Sequence, residues 1–144
     1  MSFLFLESSI AARLREHLPA EVHVLASASI DDLAKGSRLA PATYLIYAGG
    51  AVAEARPDGR AVRVRQNWLV VVTARHAARL TEGAPARADA GALADLVLAA
   101  LMGWQPDGTS QPLTLADLPD PGFLAGYQTI PLVFSTEFVR ANRA

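Results

Sequence analysis

Ala61-Val-Arg-Val-Arg-Gln-Asn-Trp-Leu-Val-Val-Val-Thr-Ala-Arg75 changes character halfway along its length. In its first half Val62 and Val64 alternate with Arg63 and Arg65, the period of a strand with one wet face. Its second half, Trp68 to Thr73, is apolar on both faces. That pattern suits a strand lying centrally in a sheet covered on both sides. The stretch therefore predicts a sheet with one buried end and one projecting, solvated end.

Working outward, Arg56-Pro-Asp-Gly-Arg60 reads as a turn, because Pro57 presets one φ and Gly59 accepts a positive one. Residues 51–75 are then one long hairpin. Before it, Pro41 opens a segment whose β-branched and aromatic run, Thr43-Tyr-Leu-Ile-Tyr-Ala48, predicts a strand ending at Gly49-Gly50. Val22 to Leu25 suits a short strand, and Ser29 to Gly36 a brief helical turn.

Two helices flank this core. Over residues 3–18, Leu6, Ile10, Leu14 and Leu18 recur every four positions, and Pro19 ends the run. Residues 76–88 read as a loop. Over 89–102, Asp89 is the expected N-cap, and Leu93, Val97, Ala100 and Leu101 share a face with Leu96 beside them. Gly103 suits the left-handed residue past the last turn, and Pro106 forbids a restart. Residues 104–123 hold four prolines and predict an irregular excursion, with a short strand at Pro112-Leu-Thr-Leu115. Gly126 to Arg140 predicts a long strand in which Pro131 marks an edge or a bulge. The order points to a single α+β domain over residues 1–144, a mixed or mainly antiparallel sheet with two main helices packed on it.

Composition narrows the function. The chain is 51% hydrophobic and 19% charged, which disfavours disorder. It has no cysteine, so disulfides, thiolate metal sites and cysteine nucleophiles are excluded. A net charge of −1 disfavours a strongly basic nucleic-acid binder. Met1 to Glu7 lacks the basic start of a signal peptide, and no stretch approaches a membrane span.

No residue pattern carries recognisable chemistry. His17, His23 and His76 lie in different elements without ligand spacing. Gly49-Gly50 lacks the rest of a phosphate-binding loop, and there is no nucleophile elbow. Asp31-Asp32 offers two carboxylates, better explained by the macrodipole of a helix start. The one local charge feature is Arg56, Arg60, Arg63 and Arg65, readable as a solvated hairpin face or as a patch meeting an acidic partner or DNA. Trp68 and Trp104 read as core or loop anchors, or as interface anchors. Leu113, Leu115 and Leu118 are too many for a solvated proline-rich loop, so they pack on this chain or on a neighbour. A reading of another class is a small ligand-binding or enzymatic domain whose cleft is lined by Asp117, Asp120, His76 or Arg75. It lacks a paired acid–base set.

Several motifs carry a resemblance. These are Ile10-Ala-Ala-Arg-Leu14 in the first helix, Pro41-Ala-Thr-Tyr-Leu-Ile-Tyr47, and Gln66-Asn-Trp-Leu-Val-Val-Val72. Gly91 to Pro106, ending Leu101-Met-Gly-Trp-Gln-Pro106, follows, and then Pro112-Leu113 and Pro131-Leu-Val-Phe134. In this order they resemble the tail-terminator (tail-completion) proteins of bacteriophages and prophages, in particular the Mu-like Gp37 family. The resemblance spans nearly the whole chain. It implies a structural virion protein, not an enzyme, with no cofactor and no metal. Such a protein caps the tail tube as a ring, commonly a hexamer, and prepares it for joining to the head. The implied partners are further copies of itself, the tail-tube protein and the head–tail connector, with DNA only as cargo passing through the lumen. The implied location is the virion tail, and the bacterial host cytoplasm during assembly. A connector or another tail component is the neighbouring alternative. The family supplies no residue signature, so position and chemistry nominate the self-association or lumen residues: Arg56, Arg60, Arg63, Arg65, Trp104, Leu113, Leu115 and Leu118.

Overall fold

A computed structural model describes residues 2–26, 39–75, 83–124 and 126–142. Its elements run α1 (Leu6–His17), β1 (His23–Ala26), β2 (Ala42–Ala55), β3 (Ala61–Arg75), α2 (Gly83–Leu101), β4 (Thr114–Asp117), β5 (Gly122–Leu124) and β6 (Tyr127–Ala141). Six strands form one mixed sheet in the order β1-β2-β3-β6-β4, with β5 also on β6. β1 runs parallel to β2 and every other pair is antiparallel. The expected α+β architecture is the one observed.

β3 lies between β2 and β6, as its doubly apolar half requires. On the helix side Trp68, Val70 and Val72 join Leu45, Leu132, Phe134 and Phe138 under the helices. On the other face Val71 packs with Ala42, Tyr44 and Ile46 in a smaller cluster. The four-residue stripe of α1 is wholly in the main core: Leu6, Ile10, Leu14 and Leu18 are all buried. Pro19 stops the helix, and Leu18, already extended, donates its N–H back to the carbonyl of Leu14 at 2.8 Å. Residues 3–5 are not helical; Phe3 and Phe5 instead meet Phe138 edge-on, at 5.7 and 5.2 Å between ring centroids.

The second helix begins earlier than its sequence suggests. It starts at Gly83, so Asp89 is an interior residue and not the N-cap. Pro85 falls in the first turn, where a missing N–H costs nothing, and the alanines that follow favour helix. Ala86 and Ala90 are fully buried, and their small side chains extend the buried face of Leu93, Ala94, Val97, Ala100 and Leu101. Leu96 is exposed. Gly103 has the expected left-handed backbone, with φ 78°.

β2 does not end at Gly49-Gly50. It continues to Ala55 through a register shift between Tyr47 and Gly50. Gly49 has φ 79°, and a Cβ at Gly50 would run into the carbonyl oxygen of Arg65. The two glycines therefore bend the strand without terminating it. Pro131 lies on β6 between the stretches paired with β4 and β5, where the outer edge has no partner among the described residues. Its edge position answers the sequence expectation. The short strand expected at 112–115 falls at Thr114–Asp117. The expected turn at Ser29–Gly36, with Asp31-Asp32, lies outside the described residues, as does His76.

Candidate functional site

The hairpin tip and the β6 strand beside it build the one dense charged surface that the sequence singled out. From Ala51 to Arg60 every residue is exposed, whereas 70–74 are all buried. Alternation along β3 sends Arg63 and Arg65 to the face opposite the helices and leaves Val62 and Val64 on the helix side. Arg56, Arg63 and Arg65 have counter-ions. Arg56 pairs with Asp58 at 2.9 Å within the turn. Asp58 also accepts the backbone N–H of Arg60 at 2.9 Å, closing the turn. Arg63 lies between Glu54 (3.9 Å) and Glu137 (4.0 Å). Arg65 donates to Glu137 Oε2 at 3.1 Å.

Glu137 is the residue that sequence reasoning missed. It is buried, and Gln111 Nε2 donates to its other oxygen at 3.3 Å. A buried carboxylate needs such partners, since desolvation disfavours an unpaired charge. The Ser110 N–H and hydroxyl both donate to the Glu137 carbonyl, at 2.8 and 3.0 Å. The Thr136 hydroxyl donates to the Gln111 carbonyl at 2.6 Å. The proline-rich excursion is thus clamped to β6 beside the arginines. The available signal was the polar triplet Ser135-Thr136-Glu137 inside an otherwise apolar strand.

The excursion divides the nominated leucines. Leu113 is fully buried in the core of its own chain, and Leu115 is half-buried against that core. Leu118 alone projects, 62% exposed, just past the end of β4. Trp104 is half-buried, with the Arg13 guanidinium 5.1 Å from its ring centroid. Arg13 also donates through Nε to the Ala100 carbonyl at 2.9 Å, tying α1 to the C-terminal turn of α2. Trp68 is a core residue. Its Nε1–H donates to Gln66 Oε1 at 2.8 Å, and Gln66 Nε2 donates to the Phe3 carbonyl at 3.2 Å.

Of the rival cleft, His76 lies outside the described residues, and no hydrogen bond or ion pair joins Asp117, Asp120 and Arg75. Asp117 accepts the Leu118 N–H at 2.9 Å and is exposed, as is Asp120. Arg75 lies at the far end of β3, its guanidinium 5.0 Å from the Tyr127 ring centroid. Among the described residues no three His, Asp or Glu side chains are grouped to hold a metal ion. A concavity of about 490 Å³ among the described residues is an open groove on the helix side of the hairpin arm. Phe3, Tyr47, Val52, Val62, Val64 and Arg65 line it. No helix among the described residues is long and apolar enough to cross a membrane.

An apolar groove and a salt-bridged arm are surfaces of the kind that meet other proteins. Known proteins agree with that character. No curated protein matches the sequence. Among solved structures, a chain in the virion of a native gene transfer agent particle shares the fold, with a TM-score of 0.53 and 20% identity. The match covers 91% of this chain and 84% of that one. The phage tail terminator protein model matches residues 1–144. With its whole length matched, the chain belongs to the phage tail terminator protein family.

Proposed function

We propose that this protein closes the end of a tail tube as a ring of identical subunits, a hexamer in the form its family resemblance suggests, and readies that end for the head. Family membership makes the chain a structural component of a virion tail that assembles with other virion proteins. The observation that supports the ring is the hairpin arm. An arm this exposed, with an apolar groove along it, is expected where a neighbour completes the surface. Ring closure by repeated rotation needs two different, complementary patches on each subunit. Residues 54–65 carry four arginines against two carboxylates, and residues 107–120 carry three aspartates and no cation. Leu118, and Trp104 more shallowly, serve as apolar anchors of such a contact; Leu113 is occupied by its own core. The tail-tube protein lies on one face of the ring and the head–tail connector on the other, with DNA passing through the lumen.

Light scattering over a concentration series, with and without purified tail tubes, tests the reading. A ring-sized particle, free or on tube ends, is expected. Leu118→Asp changes a side chain that is mostly exposed, and Arg63→Ala leaves the 3.1 Å Arg65–Glu137 pair intact. Each should weaken assembly without unfolding the subunit. A wild-type chain that neither forms a ring nor binds tubes would overturn the proposal.

A further inference from the structure

A smaller concavity, of about 250 Å³, lies between α1 and the loop that follows α2. Ser9, Arg13 and Glu16 line it from the helix, and Trp104, Gln105 and Asp107 from the loop. No residue of the arm lines it. It falls below the roughly 300–1,000 Å³ of a small-molecule site. Part of its wall is fixed in advance. Arg13 is held twice, by the 2.9 Å bond from Nε to the Ala100 carbonyl and by the Trp104 ring beneath its guanidinium. Among the described residues no carboxylate lies within ion-pair distance of Arg13. Glu16 and Asp107 are exposed, and neither side chain has a partner among the described residues. This socket therefore offers two unpaired carboxylates and one guanidinium beside a half-buried indole.

The arm tip carries the inverse set. Arg56-Pro-Asp-Gly-Arg60 places two guanidinium groups and one carboxylate within five residues, all of them exposed. The turn is also shaped in advance. Gly59 donates its N–H to the Arg56 carbonyl at 2.9 Å, and Arg56 donates its own to the Ala61 carbonyl at 3.0 Å. Asp58 takes the backbone N–H of Arg60, and Pro57 fixes its own φ. The Arg56–Asp58 pair, with side chains 66% and 42% exposed, is solvated; such a pair adds little to the fold and is readily exchanged for others. Two surfaces that are already ordered lose little freedom on meeting. Each copy thus bears a knob and a socket of opposite charge pattern, at different places, as a contact repeated by rotation requires.

We infer that the turn 56–60 of one copy seats in the Arg13, Glu16, Trp104 and Asp107 socket of the next, its arginines against Glu16 and Asp107 and its aspartate against Arg13. The inference rests on the ring reading above and names a contact that closes the ring. A purely acidic site would accept any cation. The guanidinium of Arg13 restricts this one to a partner that also brings a carboxylate, and the arm tip of a second copy does. The indole shields the pairs from water, which strengthens them. Added salt weakens the contact.

Complementary charge reversal tests it. A knob variant, Arg56→Glu with Arg60→Glu, and a socket variant, Glu16→Arg with Asp107→Arg, change only exposed side chains. Each alone should lose about tenfold or more in assembly. Mixed one to one they should recover it, because every contact in an alternating ring again joins opposite charges. Either variant assembling like the wild type overturns the inference, as does a mixture of two folded variants that stays dispersed. Amide exchange on the wild-type chain, dispersed and then assembled alone or on purified tail tubes, gives a second readout that needs no variant. Amides within both 56–61 and 104–109 should slow on assembly. A ring whose 104–109 amides exchange as fast as in the dispersed chain overturns the socket and leaves the ring standing. Slowing at 104–109 without slowing at 56–61 means that another protein fills the socket, which also overturns it. No ring in any wild-type sample sinks the ring reading, and the socket with it.

Discussion

Replacing Gln66 by leucine isolates the polar part of an otherwise apolar core. Gln66 and Trp68 are two residues apart on one strand, so they share the helix-side face, and both are fully buried. The glutamine accepts the indole N–H at 2.8 Å and donates to the Phe3 carbonyl at 3.2 Å. Leucine is of similar size but answers neither group. The Phe3 carbonyl lies in an exposed N-terminal turn and can find water. The indole N–H is sealed beneath the helices and cannot. The net cost is then that of one orphaned buried donor, about 1–3 kcal/mol. Against a total stability of about 5–15 kcal/mol for a domain, that is a large fraction. With a urea m-value near 2 kcal/mol/M, the midpoint should fall by about 0.5–1.5 M. A double-mutant cycle sharpens the test. Trp68→Phe in the Gln66→Leu background should cost less than in the wild type, by about 1 kcal/mol, because no donor is left to orphan. Additive effects, or a Gln66→Leu variant within about 0.5 kcal/mol of wild type, would refute the reasoning.

Gly50→Ala should destabilise the chain, by about 2 kcal/mol or more, since the new Cβ meets the Arg65 backbone and the strand pair must separate; thermal unfolding checks it. Gly49→Ala meets no neighbour and should cost only the left-handed penalty of about 1–2 kcal/mol. Leu14→Ala empties a site at the centre of the α1 stripe and should lower stability by about 2–5 kcal/mol in urea titration. In the dispersed chain, amides of residues 56–65 should exchange faster than those of Trp68 to Thr73, and equal protection would mean that the arm is already packed.

Much of this fold is legible because hydrophobic periodicity alone specifies it. The four-residue stripe of α1 and the change of pattern at Trp68 needed no tertiary knowledge. The misreadings share one cause: local signals that tertiary context overrides. Gly49-Gly50 looks like a strand end. Only its ladder with Arg65 and Gln66 shows that glycine is there to let two backbones approach. Asp89 looks like a cap because it precedes the leucines. The alanines before it, Ala86 and Ala90, are fully buried, yet their small side chains carry little hydrophobic signal in the sequence. The arginines of the arm were visible, but their neutraliser was not. Glu137 lies 72 residues from Arg65 in sequence, and no local pattern announces a pair across β3 and β6.

Cryo-electron microscopy of purified tail tubes incubated with the wild-type protein tests the central claim most directly. The account predicts one added ring at a single end of each tube, with density for identical subunits around an open lumen. Tubes with bare ends, or protein scattered along their length, would contradict it.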